Sequence, residues 1–152
     1  MKDFCIIGSG ISGATIANSL SKKFSLDVYD KARGAGGRSS NKKLNKNESF
    51  DHGVQYISPK SIQFKSFIKD LINKKIVKKW PGKHLFLNTD KKEDKKHIKI
   101  IGKKGNNAIS KYLLKDINCN FNSEVIKIFN KNKVWEIYFS DGSKKLYKSL
   151  IL

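Results

Sequence analysis

Three glycines near the N-terminus have the spacing of a phosphate-binding turn. Gly8, Gly10 and Gly13 directly follow residues 4–7, a short apolar run that predicts a buried strand. Gly8 permits a tight turn out of this strand, Gly10 lets a pyrophosphate approach the backbone, and Gly13 lets a helix pack on the sheet. The pattern therefore predicts contact with a diphosphate.

A helix must follow this turn if the turn is to hold a phosphate. Residues 11–20 carry apolar side chains at three-residue steps, which predicts that helix. Its N-terminus would offer free N–H groups and a partial positive charge to the phosphates. Ser12, in the first turn, would add a hydroxyl donor.

An acidic residue completes the unit. Residues 26–29 predict a second strand, and Asp30 ends it, seventeen residues after Gly13. A carboxylate there would accept hydrogen bonds from ribose hydroxyls and would repel a 2′-phosphate, which argues against NADP. Strand, glycine turn, helix, strand and acid form the layout of a dinucleotide-binding βαβ unit, although an isolated G-x-G-x-x-G can also be a chance loop.

A second glycine cluster follows the acid at once. Five residues separate Asp30 from Gly36, Gly37 and Arg38. Here the sequence resembles the FAD-dependent amine oxidase-like flavoproteins, which carry an acid, five residues and then Gly-Gly-Arg. The resemblance implies that FAD binds the first glycine turn and the segment from Asp30 and Lys31 to Arg38. A flexible loop is the alternative for this cluster.

Residues 50–57 resemble the renalase branch of these flavoproteins, which has a similar strand beside the flavin. The resemblance implies flavin contacts from Gln55 and Tyr56, and an adenine contact from the backbone of Val125. It also implies hydride transfer to FAD from a reduced nicotinamide nucleotide, with an amine as the broader family's alternative substrate. We assign no catalytic residue, because flavin hydride transfer needs no protein nucleophile, and His52 is more simply a polar strand neighbour than a base.

The composition is strongly basic. The 152-residue chain has 32 Lys and Arg against 13 Asp and Glu, a net charge of +19. Its length suffices for one domain with a core. The lysines are scattered through every segment without an arginine cluster, which favours a solvated surface over a specific nucleic-acid or membrane partner; attraction of an anionic substrate such as a nucleotide is the weaker alternative.

The cysteines and histidines lack metal-ligand spacing, so we expect no metal site. Cys5 and Cys119 are expected to be reduced, which suits a cytoplasmic protein. The N-terminal apolar run ends at glycines after four residues, so it predicts neither a signal peptide nor a membrane span.

The remaining pattern predicts short strands and two helices. We expect a polar loop over 41–49, a helix over 62–76 entered through Ser58 and Pro59, a second helix over 108–116, and strands over 50–57, 85–87, 98–101, 121–129, 134–139, 144–148 and 149–152. The charged run 90–96 predicts a solvated turn, and residues 141–142 a hairpin turn.

These expectations together describe an α/β chain: a Rossmann-like FAD-binding domain with an inserted α+β segment. Residues 1–54 would form the βαβ unit and the Gly-Gly-Arg segment, 55–103 the start of a substrate domain, and 104–152 the return to the FAD-binding domain. The chain is short for the resemblance, so we expect a fragment, incomplete at its C-terminus. The rival hypothesis is a non-catalytic truncated flavoprotein or a basic nucleotide- or nucleic-acid-binding module; the oligomeric state is left open.

Overall fold

The computed structural model describes residues 1–82 and 98–152. The helices in these ranges are α1 (Ile11–Leu20), α2 (Ile62–Asn73) and α3 (Ala108–Leu113), and a 3-10 turn covers Gly37–Ser39. The strands are β1 (Lys2–Ile7), β2 (Leu26–Tyr29), β3 (Asn41–Lys43), β4 (Ser49–Asp51), β5 (Val77–Lys79), β6 (Ile100–Gly102), β7 (Cys119–Asn120), β8 (Val125–Lys131), β9 (Val134–Phe139) and β10 (Lys144–Ile151).

The main sheet confirms the predicted α/β, Rossmann-like class. Its strand order is β7-β2-β1-β10-β9-β8. The pairs β7–β2, β2–β1 and β1–β10 are parallel, whereas β10–β9 and β9–β8 are antiparallel. Helix α1 makes the crossover that two parallel neighbours such as β1 and β2 require.

Both faces of the central strands are covered. Ile6 and Val28 enter an apolar core with residues of all three helices, while their neighbours Cys5 and Tyr29 enter a second core with residues of β9 and β10. Successive strand residues point to opposite faces, so burial of both faces explains why residues 4–7 of β1 form a continuous apolar run.

A charged residue lies within the second core. The Asp27 carboxylate accepts hydrogen bonds from Tyr147 Oη at 2.8 Å and Lys2 Nζ at 2.6 Å, and a further one from the amide of Asn118. The hydroxyls of Tyr147 and Tyr29 are 2.7 Å apart. Burial works to raise the pKa of Asp27, but these hydrogen bonds outweigh it and hold the pKa below its ordinary value.

The predicted N-cap of the helix over 62–76, Ser58, was wrong, although the predicted first residue was right. Helix α2 begins at Ile62, and its N-cap is Ser61, whose Oγ accepts from the Phe64 N–H at 3.2 Å. The segment before it stays extended because the backbones of Ile57 and Ile100 exchange two hydrogen bonds, at 2.8 and 2.9 Å. Helix formation at Ser58 would break this pairing.

The segment from 41 to 57 also differs from its prediction. The expected polar loop contains β3 and β4, which pair as an antiparallel hairpin, and the expected strand over 50–57 ends at Asp51. It ends there because Gly53 turns against Arg38: a Cβ on Gly53 would lie 2.0 Å from the Arg38 carbonyl oxygen, and that oxygen accepts from the Val54 N–H at 2.9 Å.

The C-terminal half follows the prediction more closely. Strand β9 has the predicted bounds, and the turn at Gly142 (φ 81°) leads into β10, which continues to Ile151 as one strand. The expected helix over 108–116 is shorter, and the strand expected over 121–129 begins only at Val125, as β8, after a connection from β7. The expected strand over 85–87 and turn over 90–96 lie outside the described residues, and the division into domains stays a prediction.

We predict that Tyr147→Phe destabilises the protein by about 1–3 kcal/mol, because it leaves buried oxygens of Asp27 and Tyr29 with fewer partners. Chemical denaturation measures this. Tyr138→Phe is the matched control, since Tyr138 donates to the neighbouring Glu136 on a half-buried strand, and it should cost less. Equal losses in the two variants would contradict a special role for the Asp27 network.

The same network gives the variant a pH signature. Because the pKa of Asp27 is lowered on folding, its contribution to stability is present above the ordinary value of 3.8 and is lost as the pH falls through the lowered value. Tyr147→Phe removes one of the hydrogen bonds that lower it, so the variant should lose less stability than the native chain on acidification.

Candidate functional site

The glycine turn opens on a cleft at the carboxyl end of β1. The cleft has a volume of about 490 Å³. It brings together seven of the predicted site residues: Gly8, Gly10, Ser12, Gly13, Gly36, Gly37 and Arg38. Residues from four separate parts of the chain therefore line one space, as a site for an extended ligand requires.

The first glycine segment forms the turn that the sequence predicts. Gly8 has φ +105°. A Cβ on Gly13 would lie 2.0 Å from the Gly8 carbonyl oxygen, so only glycine fits at position 13. Gly10 is the N-cap of α1 and supplies no capping side chain. The first N–H groups of a helix lack intrahelical partners, and here they lie beside the cleft.

Gly10 also tests whether the cleft can take a diphosphate. A Cβ on Gly10 would meet only the Cα of Gly37, at 3.8 Å, within 4 Å. Packing therefore leaves room for a side chain at Gly10, and the space that a side chain would fill belongs to the cleft. A backbone exposed in this way is what close approach of a phosphate needs.

The second glycine segment is fastened to the first through the backbone. The Gly36 N–H donates to the Ser9 carbonyl oxygen at 3.1 Å, and Gly10 and Gly36 form a parallel bridge. Gly36 and Gly37 have φ +142° and +51°, and a Cβ on Gly37 would lie 3.1 Å from the Gly10 Cα. A side chain at Gly37 would push the two segments apart, and one at Gly36 would clash with Asn107 and Ser40.

Arg38 lies at the junction of two cavities. A second cavity of about 430 Å³ shares Gly37, Arg38 and Val54 with the cleft and extends it towards His52. The exposed guanidinium of Arg38 is the cationic group of both linings. The His52 Nε2 lies 3.0 Å from the Ser40 Oγ, which fixes the ring at the far end.

Asp30 is close to the cleft but turns towards Ser9. One oxygen of its carboxylate accepts from the Ser9 N–H at 2.7 Å and from the Ser9 hydroxyl, and the other accepts from the Ala32 N–H at 2.9 Å. Burial works to raise the pKa of Asp30, but these bonds and the charge of Lys31 outweigh it and lower the pKa. Asp30 is therefore held ionised, as an acceptor for hydroxyl groups.

Besides Asp30, four predicted site residues lie outside both cavities. The Lys31 side chain is exposed, Gln55 is exposed with its carbonyl accepting from the Asn106 amide at 3.1 Å, and Val125 packs in the second core. The Tyr56 ring packs on Trp80, with centroids 5.5 Å apart. Their predicted cofactor contacts stay predictions.

Several lining residues were not predicted. Val54, Ile151 and Leu152 line the cleft, and the fully buried Ser9 orients Asp30. A serine at the second position of the glycine motif, facing an acid at the end of the next strand, is a local signal that could have identified Ser9. Ile151 and Leu152 carry no such signal, because they reach the cleft through the pairing of β10 with β1.

The described residues show no second reactive centre. Cys5 and Cys119 are free thiols; burial, and next to it the charge of Asp27, raises the pKa of Cys5 to about 12, and burial raises the pKa of Cys119. A thiol held protonated is a poor nucleophile. Within residues 1–82 and 98–152, no group of three metal-ligating side chains is assembled, and no helix is long and apolar enough to cross a membrane.

Known proteins share this architecture. The family model described as the NAD(P)-binding Rossmann-like domain matches residues 6–71. A tetracycline destructase superposes with a TM-score of 0.62 at 19% identity, over 99% of this chain and 38% of the destructase. A double mutant of putrescine oxidase, made in a redesign of its cofactor binding, superposes with a TM-score of 0.71 at 11% identity, over 99% of this chain and 57% of the oxidase.

These similarities concern the fold, and the chain spans less than two thirds of either enzyme. Putrescine is an amine, so the predicted resemblance to amine oxidase-like proteins is confirmed at the level of architecture. Residues 6–71, which include both glycine segments and Asp30, match the model of the NAD(P)-binding Rossmann-like domain, and the chain shares its fold with these two enzymes.

Proposed function

We propose that this chain is the FAD-binding part of a flavin-dependent oxidoreductase. The observation that carries the proposal is the backbone bridge between Gly10 and Gly36, which places two glycine segments and Arg38 around one cleft. A βαβ unit that binds NAD needs only the first of these segments. The second segment supports a ligand that runs on past the first helix, as FAD does.

The adjoining cavities support the same choice. The cleft continues from the N-terminus of α1, across Gly37 and Arg38, to His52. A diphosphate would lie against Gly10 and the helix N-terminus, where the Arg38 guanidinium can donate to two of its oxygens. Asp30 would accept from the ribose. NAD(P) is the alternative that the domain family itself offers, and an ionised Asp30 disfavours the 2′-phosphate of NADP.

When bound, FAD supplies the hydride acceptor, and the protein supplies binding, orientation and shielding from water. We propose a reduced nicotinamide nucleotide as the hydride donor, on the renalase-like residues 50–57, with an amine as the alternative and a cytoplasmic location. The rival is a truncated flavoprotein that binds FAD without turnover. Reduction of the bound flavin under anaerobic conditions, followed at its visible absorption band with each donor, separates the two.

The direct test of the cofactor is a titration of the purified chain with FAD, with NAD⁺ and NADP⁺ as competitors. We expect saturable binding of FAD, seen as quenching of flavin fluorescence, that neither nicotinamide nucleotide displaces at equal concentration. Displacement of FAD by NAD⁺ would assign the cleft to the nicotinamide cofactor and would refute the proposal.

Gly10→Val should abolish FAD binding, because its branched side chain would occupy the path of the diphosphate. Flavin fluorescence titration measures the loss, and circular dichroism verifies the fold. Gly34→Val is the matched control, since a Cβ on Gly34 meets nothing within 4 Å and Gly34 lines neither cavity. Full affinity in Gly10→Val would remove this cleft from consideration.

Arg38→Ala should weaken FAD at least about tenfold, since charge-assisted hydrogen bonds contribute roughly 1.5–3 kcal/mol each. Arg33→Ala removes the same charge from an exposed site outside both cavities and should leave the affinity unchanged. Arg38→Lys should restore part of the loss, because lysine keeps the charge but not the planar fork. Equal affinities of the two alanine variants would count against the contact.

Ser9→Ala should weaken FAD by removing the hydroxyl that holds Asp30, by roughly three- to tenfold, the effect of an ordinary net hydrogen bond, because two backbone N–H groups still hold the carboxylate. The loss of this bond should also raise the pKa of Asp30 towards its ordinary value. Affinity should therefore begin to fall at a higher pH in the variant than in the native chain, as measured by titrations on going to acid. A uniform loss with an unchanged pH profile would mean that Ser9 acts through packing alone.

A further inference from the structure

A separate cavity of about 470 Å³ lies between the end of α2 and helix α3. Lysines contribute most of its lining: Lys75, Lys103, Lys104, Lys111 and Lys115, beside Ile76, Asn107, Ala108 and Tyr112. The lysines come from the turn after α2, from the loop between β6 and α3, and from α3 and the turn that follows it. This cavity, with its nine lining residues, is called the lysine pocket below.

The basic composition of the chain does not account for the lysine pocket. Five of its nine lining residues are cationic and none is acidic. The cleft, with fifteen lining residues, has only Arg38, and a cavity of about 540 Å³ on another part of the surface balances Lys2 and Lys145 with Asp27 and Asp141. Among these cavities, which the described residues line, only the lysine pocket has several cationic residues and no acidic one.

Within residues 1–82 and 98–152, these charges are uncompensated, although other lysines are paired. Lys2, Lys74 and Lys148 each form an ion pair with an aspartate at 2.6–2.8 Å. The five lysine side chains of the lysine pocket make no ion pair or hydrogen bond with a described residue. Clustered like charges repel, so an anion that enters the pocket relieves an unfavourable interaction as well as adding a favourable one.

We propose that the lysine pocket binds a small anion with two or more linked phosphates, such as the diphosphate or triphosphate group of a nucleotide, at a site distinct from the cleft. Linked phosphates carry enough charge and oxygens to contact several ammonium groups at once, whereas a single carboxylate does not. The volume lies within the roughly 300–1,000 Å³ typical of small-molecule sites. A concave site of this size fits such an anion better than the flat surface of a membrane or a nucleic-acid duplex.

The two sites are independent in their residues. The lysine pocket and the cleft share no lining residue. The proposal therefore goes beyond the binding of FAD and does not depend on it. A probe that contains a diphosphate can enter either site, so its binding must be located as well as measured.

The experiment is a titration of the 152-residue chain with inorganic pyrophosphate, followed by the backbone amide signals in NMR spectra. We expect saturable shifts at residues 103–115. The test variant is Lys103→Gln/Lys111→Gln, two exposed side chains of the pocket. The control is Lys46→Gln/Lys127→Gln, which removes the same charge from two exposed residues that line no described cavity.

Pyrophosphate should bind the test variant roughly fivefold or more weakly and the control as tightly as the native chain, given the modest contribution of each exposed ion pair. Equal weakening in both variants would show diffuse surface charge and overturn the proposal. So would a vesicle of anionic lipid, or a DNA duplex, that displaces pyrophosphate and binds both variants equally. Shifts confined to residues 8–13 would likewise overturn it while supporting the cleft, whereas shifts at 103–115 alone would uphold it even if the chain failed to bind FAD.

Discussion

The cleft depends on one close approach of two backbones. The Gly36 N–H reaches the Ser9 carbonyl oxygen, and the Gly10 and Gly37 Cα atoms approach so closely that a Cβ on Gly37 would lie 3.1 Å from the Gly10 Cα. The contact needs glycine at position 37, where a Cβ would crowd Gly10, and a positive φ at Gly36 and Gly37. Once it forms, the exposed backbone at Gly10 and the guanidinium of Arg38 must border the same space.

The sheet places the two segments where they can meet. Strand β1 lies between β2 and β10, so the glycine turn that leaves β1 and the acid that ends β2 emerge at the same edge. On the face opposite α1, Asp27 of β2 is hydrogen-bonded to Tyr147 of β10 across β1. This bond joins the two neighbours of β1 and stabilises the arrangement that brings Ile151 to the cleft.

The parts of this arrangement that arise from local sequence could be predicted. The unit from β1 to Asp30 and the hairpin from β9 into β10 depend on patterns within about ten to thirty residues, in which apolar periodicity and glycine positions are decisive. The N-cap of α2 was predicted wrongly because Ile57 pairs with Ile100, far away in sequence, and keeps the segment after it extended. The end of β4 was predicted wrongly because Gly53 turns against Arg38, and no local sequence pattern predicts this contact.

The difference between local and distant contacts also explains which predicted residues line the cleft. Gly8, Gly10, Gly13, Gly36 and Gly37 have roles set by their own backbone, so their types and spacing were sufficient. Ser9 was not predicted because its role depends on a contact with another residue. Its hydroxyl acts only through the Asp30 carboxylate to which it donates a hydrogen bond. Val125 was assigned by register with a family strand, and a bulge after it separates its pairing with Phe139 from the rest of β8.

Charge acts differently at the two candidate sites. The cleft is lined by one cationic side chain and relies on oriented N–H groups, the N-terminus of α1 and the ionised Asp30, each of which recognises a ligand group by direction and distance. The lysine pocket offers five flexible point charges without such fixed donors. Directed hydrogen bonds in a partly enclosed site resist screening by salt, whereas exposed ammonium groups do not. A net charge of +19 therefore identifies neither site: the proposed selectivity of the cleft depends on backbone geometry, and the proposed lysine pocket depends on five cationic lining residues with no acidic residue among them.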